Sequence, residues 1–394
     1  MLKFRSRNVL IGVALALLVT PAQAAQAPTP AQATVAHSTY FDFLQERQVL
    51  FPMRINGRLV EAWLDSGASS TVVDARVAAS LGLPLGEVVR AQGVAGRVDG
   101  VRLARADLQL GDLALPGRAV AVMDLDVLAE VVPRPVQVIL GRDVFDSAVL
   151  DIDFRTREIA FLARHDFRPP PVDPLPLTTA GNLRAFPIRI GGVATPAILD
   201  LGNSGALLID RDFADANRLL DGRAVSTQLS VGVDGPRESA VASVDKVEIG
   251  GVSFDDVPTV ATVGLVARAP ANVGLALLSR FHVTVDFAGD RLWLQPYPGS
   301  EEAPFRKNRA GLSVVAEGDR LRVTHVARGS PAEAAGWGGR DPDHRHRRQG
   351  HHARLRPEPA VPLGQRSGGQ GGRPDPGGRQ PPRAASRRLL LTLP

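Results

Sequence analysis

The 394-residue chain has no cysteine, three methionines, two tyrosines and only 5% aromatic residues. Without cysteine there is neither a disulfide framework nor a lipid-attachment thiol, which fits an oxidising compartment. Long apolar runs are also missing, and none reaches the length of a membrane span. The one short run, Val9 to Thr20, follows Lys3, Arg5 and Arg7 and precedes Ala22-Gln23-Ala24. That order is the pattern of a secretory signal. Residues 1–24 are therefore expected to be a signal peptide cut after Ala24, leaving a periplasmic or secreted protein with no stable membrane span.

Several kinds of site are missing as well. There is no phosphate-cradling glycine loop and no Ser/His/Asp elbow. The eight histidines show no metal-ligand spacing, and four of them (His344, His346, His351, His352) lie near the C-terminus. No metal site and no cofactor is expected. The net charge of +5 is misleading, because residues 338–394 hold twelve Arg against four acidic residues. The rest of the chain is net negative, so the basic balance gives no support to nucleic-acid binding.

What the chain does contain is a repeat. Phe51-Pro52-Met53-Arg54-Ile55-Asn56-Gly57 returns as Phe186-Pro187-Ile188-Arg189-Ile190-Gly191-Gly192, and Leu64-Asp65-Ser66-Gly67 returns as Leu199-Asp200-Leu201-Gly202, both 135 residues on. Gly141 precedes Asp153-Phe154 with the spacing by which Gly274 precedes Asp286-Phe287. Three landmarks in one order indicate an internal duplication. In the first copy, strands Val49–Ile55 and Leu59–Leu64 flank an Asn-Gly turn. A short helix from Ala75 to Leu81 follows, and the copy closes through Val138-Ile139-Leu140-Gly141. The second copy repeats this with a longer helix near Phe213 to Leu220. The expected organisation is a lobe over 40–166, a Pro-rich linker over 167–179 and a second lobe over 180–298.

An Asp-Ser-Gly that ends an apolar strand and is paired downstream with an apolar-apolar-Gly segment resembles the retropepsin-like aspartic protease family. The resemblance is strong over residues 45–165 and weaker over 180–297. It implies an all-β fold of two retropepsin-like or pepsin-like lobes, with Asp65 and Asp200 as catalytic residues at the lobe interface. Ser66, Gly67, Ala68, Gly202, Gly141 and Gly274 would form the supporting active-site loops. Flap hairpins are expected at Gly93 and Gly96 and at Gly232 and Gly235, closing over a peptide or protein substrate. The chemistry explains the pair. Two adjacent carboxyls cannot both ionise easily, so they share a proton, and one serves as base while the other serves as acid.

The second copy departs from the pattern. Leu201 stands where a Thr or Ser is expected, Asn203 replaces the small Ala68, and Asn272-Val273-Gly274 is less regular than Ile139-Leu140-Gly141. Three alternatives stay open: an intramolecular Asp65–Asp200 dyad, a homodimer pairing two copies of Asp65, and a degenerate second lobe in a non-catalytic peptide-binding or scaffolding protein. Asp74, Asp151, Asp153 and Asp286 read as caps, turns or strand ends.

Residues 305–337 contain a strand pattern at Leu321–Val326 and then Ser330-Pro331-Ala332-Glu333, which reads as a capped helix start with Gly336 as its stop. This resembles the first part of a bacterial PDZ domain, and the resemblance implies a carboxylate-binding loop at Gly311-Leu312. From Gly338 the pattern dissolves into Arg, Gly, Pro and His. A reading-frame change in the gene is one explanation, and residues 338–394 are expected to be a disordered basic tail beside an incomplete PDZ-like unit.

Overall fold

A computed structural model describes residues 38–337, apart from 45, 93–96, 131–133, 234, 264, 266–268 and 318–319, together with 352–354. The expected signal peptide, the flap glycines Gly93 and Gly96, and the C-terminal residues other than 352–354 lie outside the described residues.

Two eight-stranded sheets have the same strand order, position by position. In the first lobe the order is Asp42–Leu44, Gln48–Ile55, Arg58–Leu64, Val138–Leu140, Val72–Asp74, Leu113–Met123, Arg97–Leu110 and Val88–Gln92. In the second it is Thr178–Ala180, Leu183–Ile190, Val193–Leu199, Ala271–Val273, Leu207–Asp210, Val252–Thr262, Gly235–Ile249 and Ser226–Gly232. The duplication seen in the sequence is thus a duplication of topology. Its hairpin turns follow local chemistry: Asn56 and Gly57 both take positive φ, as do Gly191 and Gly192. A two-residue turn matched to strand twist requires this.

A six-stranded sheet joins the lobes. Val149–Asp153 from the first pairs with Phe281–Asp286 from the second, in the register Leu150↔Val285 and Ile152↔Val283. Across this seam Phe145 stacks on Phe287 at 5.5 Å. Tyr297 donates to Asp153, and Thr284 donates to Asp151. One apolar core runs through both lobes, so burial holds them as a unit rather than as beads on a linker. Among the described residues no helix is long and apolar enough to cross a membrane.

The boundaries shift in three places. Leu175–Pro176 already belongs to the joining sheet and Thr178–Ala180 to the second lobe, so the Pro-rich connection is shorter than expected. The second-lobe helix spans only Arg211–Ala216, six residues like its counterpart Ala75–Ser80. Phe213, Leu219 and Leu220 carry a helix-like spacing, but Asn217 caps the helix and Arg218 turns to φ 55°. Finally, His352–Arg354 adds a third strand beside Arg320–Val326, where disorder is expected. Asp74 and Asp210 both serve as N-caps, in line with the cap reading of Asp74.

Candidate active site

Each lobe delivers one aspartate to the same point. Strand Arg58–Leu64 lies parallel to Val138–Leu140, and the Asp65 amide donates to the Leu140 carbonyl at 3.0 Å. In the second lobe Val193–Leu199 lies parallel to Ala271–Val273, and the Asp200 amide donates to Val273 at 3.1 Å. The glycines that follow let the loops pass over one another. A Cβ on Gly141 would lie 2.4 Å from the Ser70 carbonyl carbon, and one on Gly274 would lie 2.5 Å from the carbonyl oxygens of Asn203 and Gly205. No side chain fits such an approach.

The aspartates face each other within one chain, each carboxyl lying against the glycine of the other's loop. No second copy is needed to assemble the pair. Gly67 and Gly202 make the approach possible. A Cβ on Gly67 would lie 2.6 Å from the Asp200 carboxyl, and one on Gly202 2.3 Å from that of Asp65. Each carboxylate is held by its own loop. Asp65 Oδ1 accepts from the amides of Gly67 (2.9 Å) and Ala68 (3.0 Å). Asp200 Oδ1 accepts from those of Gly202 and Asn203 (both 3.0 Å).

Leu201 offers no hydroxyl, and the cross-interface contact is made from the first lobe's side. Ser66 Oγ donates to the Leu199 carbonyl at 2.7 Å and accepts from the Leu201 amide at 2.9 Å. Ser66 is only 1% exposed and Leu201 is fully buried. A single buried hydroxyl therefore ties the loops from one side, while the Leu201 side chain joins the apolar core instead.

The other departures also have a structural meaning. Asn272 Nδ2 donates to Asp200 Oδ2 at 2.6 Å, and Asn272 Oδ1 accepts from Asn203 Nδ2 at 2.8 Å. Asn203 Oδ1 in turn accepts from the Gly205 amide at 2.8 Å. Asn272 was missing from the sequence-derived site. The available signal was that both irregular positions of the second copy, opposite Ala68 and Ile139, carry amides.

Electrostatics follow from this arrangement. Burial, and then the charge of Asp200, push the Asp65 carboxyl up to about 8, against the pull of its two loop amides. Burial also raises Asp200, but Asn272 and the amides of Gly202 and Asn203 hold it back. The pair titrates as a coupled unit.

Around the pair opens a cleft of about 2470 Å³. The hairpin formed by Ser226–Gly232 and Gly235–Ile249 reaches over it, with Gly232, Val233 and Gly235 lining the space. Val233 packs on the first lobe's cluster of Leu50, Trp63, Leu125, Leu128, Val136 and Ile139, so this hairpin bridges the lobes. Gly232 and Gly235 are thus placed where a flap would lie. Among the described residues no three His, Cys, Asp or Glu side chains group to hold a metal.

An aspartyl protease family model matches residues 51–144 and again residues 186–271. Both halves match the aspartyl protease family. The two matched regions contain Asp65 and Asp200 at corresponding places, and at the family level the match carries peptidase activity on peptide or protein substrates. No curated protein matches the chain.

Beyond the two lobes, strands Leu312–Glu317 and Arg320–Val326 pair and lead into helix Pro331–Ala334. Ser330 Oγ accepts from the Glu333 amide at 3.1 Å, as the capping pattern predicts, but Glu333 reaches back to the Gly329 amide rather than to that of Ser330. Gly311 and Leu312 are also among the residues lining the cleft. The Gly311 amide donates to Asn308 Oδ1, so that donor is already engaged. The unit sits on the bridging hairpin: Thr227 bonds His325 at 3.1 Å and Ser226 donates to the Arg328 carbonyl at 3.2 Å.

Proposed function

We propose that this chain is an aspartic endopeptidase that cuts extended peptide segments with a water activated between Asp65 and Asp200. The observation that carries the reading is the mutual approach of two loop-held carboxyls at the floor of a long cleft. One ionised and one protonated carboxyl supply the base that deprotonates water and the acid that protonates the peptide carbonyl. Substrate would lie as an added strand under the bridging hairpin, held by backbone hydrogen bonds, with side-chain pockets setting preference. The bonds of Ser66 to the Leu199 carbonyl and Leu201 amide support this reading over a degenerate second lobe, since they tie the loops without a hydroxyl at position 201.

The export-signal pattern read at residues 1–24 supports an activity outside the cytoplasm, and the strand–strand–helix unit after residue 311 fits a PDZ-like peptide-binding module. The test is cleavage of a peptide library from acidic to neutral pH by wild type, Asp65→Asn and Asp200→Asn. Loss in both variants is expected. Retained cleavage in Asp200→Asn would point to pairing of two Asp65 copies, and no cleavage by wild type at any pH would overturn the enzyme reading.

A further inference from the structure

The two halves of the dyad are unequally supported. Asp65 receives two backbone amides on one oxygen. Asp200 receives two on one oxygen and a third donor, Asn272 Nδ2, on the other. That third donor belongs to a chain with a defined direction. A backbone N–H can only donate, so the Gly205 amide fixes Oδ1 of Asn203 toward itself. Asn203 must then present its NH₂ to Asn272, which accepts through Oδ1 and turns its own NH₂ to Asp200. Amide orientation, normally ambiguous, is set here by a peptide group. The first copy has Ala68 and Ile139 at these positions and so has no such chain.

We propose that Asn272, oriented by Asn203, is a positioning residue that assigns the general-base role to Asp200 and leaves the shared proton on Asp65. A symmetrical pair would divide its time between two mirror-image protonation states, only one of which suits a given substrate orientation. A donor aimed at one oxygen of one carboxyl favours the ionised form of that carboxyl and selects one state. Asn272 is 8% exposed, so water competes little for this bond. Asp65 is the titratable group facing Asp200, and Asp200 the one facing Asp65. The elements packed around them, residues 66–71, 138–141, 201–206 and 271–274, contain no other acid or base.

This inference rests on the endopeptidase reading but is tested apart from it. Carboxyl ¹³C titration by NMR, with resonances assigned through Asp65→Asn and Asp200→Asn, reports the dyad whether or not it turns over substrate. In wild type the Asp200 resonance should move at the lower step. Asn272→Ile, which copies the first lobe, should raise that step by about one pH unit and shift the acidic limb of kcat/KM equally. Asn203→Ala should shift both in the same direction by less, and should add nothing in the Asn272→Ile background, because the two act in series. If Asn272→Ile fails to fold, Asn203→Ala alone carries the test. An unmoved lower step in the folded variants, or a lower step that belongs to Asp65, overturns the assignment even if peptides are cut. Absence of cleavage by wild type together with the predicted shifts would overturn the endopeptidase reading and the general-base role with it, and leave the placement of the proton standing.

Discussion

Ser66→Ala is the sharpest probe of how the two loops are held. The hydroxyl satisfies two buried backbone groups at once, the Leu199 carbonyl and the Leu201 amide, in a site from which water is excluded. Each group left unpaired costs about 1–3 kcal/mol, offset in part because the variant no longer buries a hydroxyl. A net loss of about 2 kcal/mol follows, equivalent to roughly 30-fold in the local opening equilibrium. Hydrogen exchange at the Leu201 amide reads this directly, since its acceptor is removed. That amide should exchange about 30-fold faster, while amides at the far end of the strand pair leading to the loop, residues 193–195 paired with residues 188–190, keep their protection. Loosening the loops should lower kcat/KM as well, because the carboxyls no longer hold one separation. Ser66→Thr keeps the hydroxyl and should retain more protection and activity than the Ala variant. Unchanged exchange at Leu201 with full activity in Ser66→Ala would refute the reasoning.

Gly202→Ala places a Cβ 2.3 Å from the Asp65 carboxyl, so the carboxyl or its loop must shift. Overpacking of about 1–3 kcal/mol leaves the fold intact, but the displaced dyad should lose about a hundredfold in kcat/KM; a wild-type rate would contradict the close approach. Asp65→Asn tests the proton. Folded Asp65 keeps its proton to about pH 8 while the unfolded chain releases it near 3.8. Wild-type stability from this group therefore falls as pH rises between those values. The Asn variant should show a Tm margin over wild type that widens from pH 4 to pH 8 as cleavage disappears, and a margin independent of pH would contradict the raised carboxyl. Val233→Ser weakens the apolar contact of the bridging hairpin with the first lobe. If closure holds substrate, KM should rise about fivefold, the equivalent of about 1 kcal/mol of half-buried apolar surface, with kcat little changed; an unchanged KM would remove the hairpin from substrate binding.

Much of the fold is legible in the sequence because its signals are local. Asn56-Gly57 defines a hairpin by backbone conformation alone, and Asp74 and Ser330 announce their helices as caps. The repeat then fixes the second lobe by analogy with the first. Analogy also misleads. The stretch Phe213 to Leu220 reads as a longer helix from its apolar spacing, but Leu219 and Leu220 reach the core from a turn after Arg218 rather than from a helical face. The Pro-rich connection similarly conceals Leu175–Pro176, whose strand character comes only from pairing with Arg291 and Leu292, more than a hundred residues away.

The least legible features are those in which one departure answers another at long range. Leu201 looks like damage when its tripeptide is read alone, because the partner that makes its side chain dispensable is Ser66, 135 residues earlier. Asn203 and Asn272 look like two further defects, 69 residues apart, until the fold brings their amides into contact. Taken together the three substitutions do not lower the polar support of the second carboxyl. They put an apolar side chain at the loop interface and aim an amide at Asp200, while the hydroxyl of Ser66 ties the loops from the first lobe's side. A duplicated site released from symmetry in this way can hold its two acids in different states before substrate arrives, which a site made of identical halves can do only once an asymmetric ligand is bound.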